Sequence, residues 1–394
     1  MKAPRTFQFG AFASSVHISR ELPSLDRIAG DFRAEGPFFQ ALLVCDEHTR
    51  PLAEAAARKG GPEYDTAWCV LEPGESAKNW ASVEAILRAA AGAGLGRDGL
   101  FIGVGGGVIG DLTAFAASIY MRGCRLCLVS TTLLGMVDAS LGGKTGFDLF
   151  GVKNMAGTFY PARHIYMPLE SLKTLPHAEW KSGMAELIKT AVLEGGDFPG
   201  ALESFTGGYP PGSFSARFPA EFIRDLLENR AEELIRCVSR AAALKGRIVA
   251  ADPRETGGER RLLTLGHTFA HALESSAGLG TISHGEAVAW GMARACELGL
   301  ALGITPRTRA LEITGLIRSF GYETGAPHPL MGDPGVFLRA LAADKKKTAG
   351  KVTFIVPDAQ SARPAAWGSE FPPEQNAAGW ESLLKQIING DLSL

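Results

Sequence analysis

Short apolar runs alternate with amphipathic segments in the first half of the chain. Four runs have the length and the Val, Leu, Ile and Phe content of buried strands, at residues 41–45, 66–71, 100–104 and 126–130. Apolar residues also recur at helical spacing, over residues 82–91 and 110–120. Strands that alternate with helices are typical of a parallel, doubly wound sheet, so we predict an α/β domain over residues 1–176.

Helical periodicity dominates the second half of the chain. It covers residues 179–193, 219–247, 263–276, 286–302 and 306–320. The pattern then predicts one strand at 352–356, a loop rich in Pro, Ala and Gly at 361–379, and a last helix at 378–388. We therefore predict a mainly α-helical domain over residues 177–394.

Composition excludes several classes of partner. Lys and Arg total 40 and Asp and Glu total 42, and this net charge of −2 gives no electrostatic basis for binding nucleic acid or an acidic membrane. No apolar stretch is long enough to span a bilayer, and the first ten residues lack the layout of a secretory signal, so we expect a cytoplasmic protein. The six cysteines include one CxxC pair, Cys124 and Cys127, without the second pair that a structural zinc site needs. We predict buried or half-buried thiols.

A glycine-rich turn at residues 103–111 lies between a predicted strand and a predicted helix. Glycines there let the backbone approach a pyrophosphate, whose charge meets the helix N-terminus. Glycines also serve tight turns for steric reasons alone, but the strand before and the helix after favour a nucleotide site. Asp46, at the end of an earlier strand, is a candidate for a cofactor ribose hydroxyl, and a turn-forming role fits its position equally well.

Three of the eight histidines fall close together, and they indicate a metal site. His267 and His271 are four residues apart, which stacks both imidazoles on one helix face, and His284 precedes another apolar helix. Glu186 and Lys189 lie one turn apart on an otherwise apolar helix, where a bare carboxylate must be paired, protonated or ligated. Two His and one Glu form an open catalytic zinc set. Spacing leaves open which histidines bind the metal and which serve acid–base chemistry.

Lysines also occur where a plain core would avoid them. Lys144 lies in a glycine-rich turn with Lys153 following on the same loop, Lys245 lies in an apolar helix, and Arg260 precedes His267 by seven residues. Each alone is typical of a solvated surface, but together they indicate a pocket for an anion, such as a phosphate plus a carboxylate.

Many separate motifs give the chain a resemblance to the 3-dehydroquinate synthase family of sugar-phosphate cyclases, over roughly residues 40–356. They occur in the expected order: GGVIGDL from Gly105, YMRG from Tyr120, STTLL from Ser130, VDAS from Val137, GGKT from Gly142, KNM from Lys153, AELIK from Ala185, LGHT from Leu265, HGEAV from His284 and DKK from Asp344. The resemblance implies a nucleotide-binding α/β domain, a helical C-terminal domain and an active site between them.

The resemblance also implies roles for individual residues. Glu186, His267 and His284 are expected to bind the metal ion, which is zinc or, alternatively, cobalt. NAD is expected at Asp46, Glu75, Lys78, Gly105, Gly106, Gly107, Gly110, Asp111, Thr131, Thr132 and Lys153. The sugar-phosphate substrate is expected at Asp138, Lys144, Asn154, Lys189, Lys245, Arg260, Thr264, His271, Lys345 and Lys346. Among these, Lys245 and Arg260 match residues that bind the substrate carboxylate in the family. Arg122 matches an arginine supplied from the neighbouring subunit, which implies a homodimer.

The implied reaction converts 3-deoxy-D-arabino-heptulosonate 7-phosphate to 3-dehydroquinate and phosphate. NAD oxidises one alcohol transiently, phosphate is eliminated, the hydride returns, and an internal aldol step closes the ring. NAD is then catalytic without net redox change, so it must stay bound throughout.

One departure from the family pattern keeps alternatives open. Thr264 stands where the family usually has Asn, a substrate contact, whereas Arg260 keeps the carboxylate-binding pattern. A related cyclase that makes a valiolone- or inosose-type cyclitol is therefore the main alternative. A metal-dependent glycerol-phosphate or polyol dehydrogenase and a catalytically silent paralogue are the others.

Overall fold

A computed structural model describes most of the chain. The described residues are 5–9, 12–36, 40–58, 65–210, 212–214, 218–256, 258–278, 280–344, 353–366 and 377–392. They form two compact units. The first unit comprises Met1–Pro176 with Arg224–Thr256, and the second comprises His177–Ile223 with Gly257–Leu394.

The first unit is built on a seven-stranded sheet. Its strands are β1 (Arg5–Phe9), β2 (Phe12–Ser19), β3 (Gln40–Asp46), β4 (Asp65–Leu71), β5 (Leu100–Gly105), β6 (Arg125–Ser130) and β9 (His164–Pro168). A separate hairpin consists of β7 (Lys144–Leu149) and β8 (Val152–Phe159). The helices are α1 (Leu25–Asp31), α2 (Arg50–Arg58), α3 (Trp80–Gly92) and α4 (Gly107–Ile119).

The order of strands in the sheet is β1-β2-β9-β6-β5-β3-β4, and every pairing except β1 with β2 is parallel. Strand β5 is buried at every position, and β6 at all but its first, because helices cover both faces of a parallel sheet. Leu43, Ile102 and Val129 of three strands belong to one buried cluster with Phe32. The predicted α/β class, its four strands and both helices are confirmed.

Strands β1, β2, β7, β8 and β9 have no counterpart in the prediction. The hairpin lacks an apolar run because β8 is exposed at most positions. Its two strands approach closely at Gly146 and Gly157, where a Cβ at Gly157 would lie 2.0 Å from the carbonyl oxygen of Thr145. Side-chain periodicity carries no signal of such a backbone contact.

The second unit is mainly helical, as predicted. Its helices are α5 (His177–Glu194), α6 (Phe198–Thr206), α9 (His267–Ala277), α10 (His284–Ala301), α11 (Arg307–Ser319), α12 (Pro334–Asp344) and α13 (Ala377–Asn389). A short antiparallel pair consists of β10 (Thr353–Pro357) and β11 (Ala362–Ala366). The prediction of a loop from residue 361 is thus wrong over β11. There, backbone pairing with β10 outweighs the low strand propensity of Pro and Ala. Residues 367–376 of that predicted loop lie outside the described residues.

The long helix expected at 219–247 is two helices, α7 (Ala220–Glu228) and α8 (Ala231–Ala251), separated at Asn229 and Arg230. Helix α8 belongs to the first unit. The prediction divided the chain once, at residue 176, and would have placed this helix in the second domain. The helix packs against β1 and β2, where a Cβ on Gly246 would lie 2.3 Å from the Phe7 ring. An amphipathic helix does not show in its sequence which domain covers its apolar face.

Two smaller expectations concern the cysteines and membranes. All six cysteines are free and buried, which confirms the prediction of buried thiols. Within the described ranges, no helix combines the length and the apolar character needed to cross a bilayer.

Candidate functional site

In the second unit, the side chains of Glu186, His267 and His284 lie close together. Oε1 of Glu186 lies 3.6 Å from Nε2 of His267 and 3.8 Å from Nε2 of His284. The centroids of the two imidazole rings are 5.3 Å apart. One donor atom from each of the three residues lies within 4.8 Å of the others. The structure therefore brings together the three residues that the resemblance implies as metal ligands, and their role as ligands stays a prediction.

Helix packing sets this convergence. Glu186 lies in the middle of α5, and the two histidines open α9 and α10. Helix α10 contacts both of the other helices. Gly266 caps the start of α9 in the left-handed region at φ 81°, and a Cβ there would lie 2.8 Å from the backbone nitrogen of Met292 on α10. Glycine at this position therefore allows the close approach that brings His267 to the site.

Each histidine has its Nδ1 beside a hydrogen-bond acceptor and its Nε2 towards Glu186. Nδ1 of His267 lies 3.2 Å from the carbonyl oxygen of Leu265, and Nδ1 of His284 lies 3.2 Å from Oε1 of Glu274. Protonation at Nδ1 leaves the Nε2 lone pair of each ring facing the carboxylate.

The charges of the site act differently on the two rings. Burial, with the positive charge of Lys189, holds the pKa of His267 well below its usual range, so this imidazole is neutral. Burial alone would also lower the pKa of His284, but the Glu274 hydrogen bond and the charge of Glu186 outweigh it and raise that pKa. A metal ion binds the neutral form of an imidazole, which is the form that the lowered pKa of His267 favours.

The donor set fits a divalent transition metal. Glu186 is 1% exposed, and its Oε1 accepts no hydrogen bond from any residue that the structure describes. The Lys189 ammonium forms an ion pair with the other oxygen, Oε2. A buried carboxylate oxygen that faces two imidazole nitrogens is costly unless a cation lies between them. One carboxylate with two imidazoles also leaves a coordination position open.

Other predicted substrate residues of this unit lie on the same helices or beside them. His271 lies on α9 with its ring centroid 5.6 Å from that of His267. Arg260, 3% exposed, and Thr264 belong to a short 3₁₀ segment that precedes α9. The Thr264 hydroxyl donates to the carbonyl of Arg261 at 2.7 Å, which is a local bond within the segment. Lys345 and Lys346 lie outside the described residues.

In the first unit, the glycine-rich turn joins β5 to α4 as predicted. Gly106 is the residue before α4, and a Cβ there would lie 2.9 Å from Cγ2 of Thr132. A pocket lies against the turn, and its lining includes Gly105, Gly106, Gly107, Gly110, Asp111, Ser130 and Lys144. The hydroxyls of Ser130 and Thr131 are buried and have no partner among the described residues. A helix N-terminus with unpartnered hydroxyls beside it fits a bound pyrophosphate.

Lys78 connects three segments of this unit. Its ammonium donates to Oδ2 of Asp111 and to Oδ1 of Asn154, each at 2.6 Å. Lys78 is 6% exposed, and burial raises the pKa of Asp111 while Lys78 opposes that rise. Glu75 and Lys153 form a looser, exposed pair at 3.7 Å. The structure thus places these five predicted residues in three contacts, two of which share Lys78.

Asp46 and Thr132 close local turns. Oδ1 of Asp46 accepts hydrogen bonds from the backbone nitrogen and the hydroxyl of Thr49, each at 2.8 Å. This is the turn-forming role, and the ribose role of Asp46 stays a prediction. The Thr132 hydroxyl accepts from the backbone nitrogen of Gly135 at 3.0 Å.

The predicted cations of the first unit have acidic partners. The Lys245 ammonium donates to Oδ1 of Asp138 at 2.7 Å, and Asp138 lies in a π-helical turn at Gly135–Ala139. The Lys144 ammonium forms an ion pair with Glu255 at 2.5 Å, on a side chain that is 55% exposed. Turns of this π type are frequent at functional sites.

Arg122 lies on the surface in an unusual backbone conformation. Its φ is 67° and that of Met121 is 48°, both in the left-handed region that non-glycine residues rarely adopt. Both side chains are exposed. Such backbone strain persists only where the surroundings maintain it, and it is concentrated at functional positions.

The sequence reasoning missed two acidic partners, Glu274 and Glu255. Glu274 follows His267 by seven residues and His271 by three, so all three share one face of α9. Helical spacing from the two histidines would have been enough to find it. Glu255 lies far from Lys144 in the chain, and no spacing rule connects them.

Comparison with known proteins covers both units. The chain matches the families described as 3-dehydroquinate synthase N-terminal, over residues 68–182, and 3-dehydroquinate synthase C-terminal, over residues 183–347. A curated 3-dehydroquinate synthase from Rhodopirellula baltica is 39% identical over 73% of this chain and 72% of the relative. One from Colwellia psychrerythraea is 36% identical over 85% of this chain and 88% of the relative.

Solved structures share the fold at lower identity. A 2-deoxy-scyllo-inosose synthase complexed with carbaglucose-6-phosphate, NAD+ and Co2+ aligns with a TM-score of 0.75 at 21% identity, over 98% of this chain and 99% of that one. A 2-epi-5-epi-valiolone synthase from Streptomyces hygroscopicus with NAD+ and Zn2+ bound aligns with a TM-score of 0.75 at 25% identity, over 97% and 99%. The curated relatives exceed both in identity, and with the two family matches they place this chain in the 3-dehydroquinate synthase family.

Proposed function

We propose that the chain converts 3-deoxy-D-arabino-heptulosonate 7-phosphate to 3-dehydroquinate and phosphate, a carbon–oxygen lyase reaction of the shikimate pathway. The observation that carries the proposal is the convergence of Glu186, His267 and His284 in a member of this family. The substrate is inferred from the curated relatives, which are named for this activity.

We assign two bound groups to the enzyme. Glu186, His267 and His284 would hold a divalent cation, zinc or cobalt, as their oxygen and nitrogen donors suit either ion. The turn around Gly105–Gly107, with Thr131 and Asp111 beside it, would hold NAD. When bound, the cation polarises the hydroxyl that is oxidised and NAD accepts and later returns its hydride. The solved cyclases that contain NAD+ with Co2+ or Zn2+ support this pairing.

The chain's own residues supply binding and proton transfer. In the second unit, Arg260 is assigned to the substrate carboxylate, because a guanidinium can bind its two oxygens at once. Lys189 is assigned to a substrate hydroxyl, and its ammonium also stabilises the charge of Glu186. His271, exposed on α9 beside the metal ligands, is assigned to proton transfer near the phosphate-elimination step.

In the first unit, we assign Asp138, Lys144, Asn154 and Lys245 to substrate binding. The contacts of Lys245 with Asp138 and of Lys78 with Asn154 support these assignments, because they hold the side chains in fixed positions. Positioning polar groups before the substrate arrives lowers the entropy cost of binding. Lys345 and Lys346 are assigned to the phosphate on the family resemblance alone.

We also assign a homodimer in which Arg122 serves the partner subunit's site. The support is the exposure of Arg122 and Met121 together with their left-handed backbone. A side chain that is held in a strained conformation and points to solvent suits a role outside its own subunit.

A cyclase that forms a cyclitol is the second candidate function, and Thr264 is the observation that favours it. Its hydroxyl is used in a bond to Arg261, so it replaces the family's amide poorly. The distinguishing experiment compares phosphate release from the heptulosonate phosphate, sedoheptulose 7-phosphate and glucose 6-phosphate. We expect kcat/KM to be highest for the carboxylated sugar, and preference for a neutral sugar would contradict the proposal.

A further inference from the structure

The far side of His284 is occupied by an acidic side chain to which neither the family match nor the proposed reaction gives a role. Oε1 of Glu274 lies 3.2 Å from Nδ1 of His284, while Nε2 of the same ring lies 3.8 Å from Oε1 of Glu186. The imidazole therefore has one carboxylate at each nitrogen. Only the Glu186 carboxylate belongs to the proposed metal site.

We propose that Glu274 is a positioning residue for the metal centre: it accepts a hydrogen bond from Nδ1–H of His284 and so presents the Nε2 lone pair to the metal ion. The inference rests on the metal site of the proposed function and names a residue outside its ligand set. A carboxylate in this position fixes the tautomer and the ring orientation, and it makes the ligating nitrogen a stronger donor.

Glu274 lies in the second half of α9, seven residues after His267, and its side chain is 20% exposed. The same helix thus carries one metal ligand at its start and, two turns later, the carboxylate that holds the ligand from α10. The rigid helix sets the separation between the two contacts, which ties the orientation of His284 to the position of His267.

His267 provides the internal comparison. Its Nδ1 faces a backbone carbonyl, that of Leu265, at 3.2 Å. A carbonyl is neutral and cannot be removed by substitution, whereas the Glu274 carboxylate is charged and can be removed. Of the two histidine ligands, only His284 thus has an orienting group that mutation can test.

A competing arrangement makes Glu274 itself a ligand. Donor atoms of His271, Glu274 and His284 also lie within 4.8 Å of one another, which could accommodate a second ion. The separation of 3.2 Å between Nδ1 and Oε1 matches a hydrogen bond with one proton between the two atoms. Protonation at Nδ1 excludes a metal ion from that nitrogen. The two arrangements differ in the number of ions bound.

The test is a titration of the metal-free, full-length protein with Co2+, followed by visible absorption and by metal analysis of the dialysed complex. The variants are Glu274→Ala, Glu274→Gln and, as a matched control, Glu203→Ala on an exposed position of α6. Second-sphere partners of metal-bound histidines typically change affinity roughly 10- to 100-fold. We expect that loss for Glu274→Ala, a smaller loss for Glu274→Gln, whose amide oxygen can still accept the hydrogen bond from Nδ1, and none for the control.

Metal content and stability separate the outcomes. Wild type and both Glu274 variants should hold one Co2+ per chain when saturated, with unchanged melting temperatures of the metal-free forms. If Glu274→Ala melts lower, the comparison rests on Glu274→Gln. Wild-type affinity in both variants would overturn the inference, as would a fall from two ions to one. If Glu186→Ala binds Co2+ as tightly as wild type, the proposed metal site fails as well, which distinguishes the two failures.

Discussion

The Lys78 ammonium donates to Oδ2 of Asp111 at 2.6 Å, and Lys78 is almost fully buried. This contact joins the loop after β4 to helix α4, whose N-terminus faces the proposed cofactor pocket. Because Asp111 also lines that pocket, we expect the pair to link the stability of the first unit to NAD binding.

We predict that Lys78→Met destabilises the first unit and weakens NAD binding. The Asp111 carboxylate would lose its cation. Since Asp111 is 23% exposed, we expect a loss of about 2 kcal/mol in the free energy of unfolding, less than for a fully buried pair. Urea titration and NAD titration measure both effects, with the exposed Lys173→Met as control. Unchanged NAD affinity in Lys78→Met would contradict the link.

The metal ligands give the second prediction. Glu186→Ala or His284→Ala should abolish turnover and lower metal content, while NAD affinity stays near the wild-type value. The reason is that both ligands lie in the second unit and the glycine-rich turn lies in the first. Metal analysis, turnover and NAD titration are measured on each variant. Near-normal turnover in either variant would remove the metal assignment.

Arg260 is predicted to act mainly in substrate binding. Arg260→Ala should raise KM for the heptulosonate phosphate, by about 2 kcal/mol or roughly 30-fold, because a charged hydrogen-bonded pair is lost. Its neighbour Arg261 is exposed, and Arg261→Ala is the matched control. An unchanged KM in Arg260→Ala would mean that another residue binds the carboxylate.

The assigned homodimer predicts complementation between two inactive variants. Arg122→Ala and Glu186→Ala each remove one component of every site in their own dimers. Mixed dimers would contain one intact site, so random exchange of subunits should restore about a quarter of wild-type activity. The mixture is refolded together and assayed against each variant alone. No recovery, with exchange verified by mass labels, would contradict the role of Arg122.

A buried histidine in the first unit predicts a pH dependence of stability. Burial lowers the pKa of His17 from 6.5 to about 4, and Asp31 only partly offsets this. Between these values the unfolded chain binds the proton and the folded chain does not. Stability is therefore full above about pH 6.5 and falls as the pH decreases towards 4, with a slope of up to about 1.4 kcal/mol per pH unit.

Urea titrations at several pH values test this slope in wild type and in His17→Gln. The variant should show a flatter dependence between pH 4 and 6.5, whereas the exposed His48→Gln should keep the wild-type slope. Equal slopes in wild type and His17→Gln would show that another group is responsible.

Much of the fold could be predicted from the pattern of apolar residues, because the central strands of the sheet are buried on both faces and are therefore apolar throughout. Strands β3 and β5 and helix α4 lie within two or three residues of their predicted limits at either end. The β7–β8 hairpin could not be predicted in this way, since it is stabilised by backbone pairing and by close contact at glycines. Helix α8 shows a further limit: its periodicity was visible, but its place in the first unit was not.

The residues of the proposed metal site could be singled out from the sequence because their polar side chains are unusual in apolar segments. Glu186 lies on an apolar helix, and three histidines occur within 18 residues of the chain, at 267, 271 and 284. The partners of Lys144, Lys245 and Asn154 were not predictable, since they come from distant segments. Spacing also does not show which ring nitrogen of His267 and His284 faces Glu186. In the structure, Leu265 and Glu274 accept at the Nδ1 atoms, so the Nε2 atoms face Glu186.

Simultaneous measurement of phosphate and NADH during turnover of the heptulosonate phosphate is the most direct test of the proposed reaction. We expect stoichiometric phosphate release with no accumulation of NADH, abolished by a chelator and restored by Zn2+ or Co2+. Net NADH formation in step with substrate consumption, or phosphate release that persists in the metal-free enzyme, would contradict it.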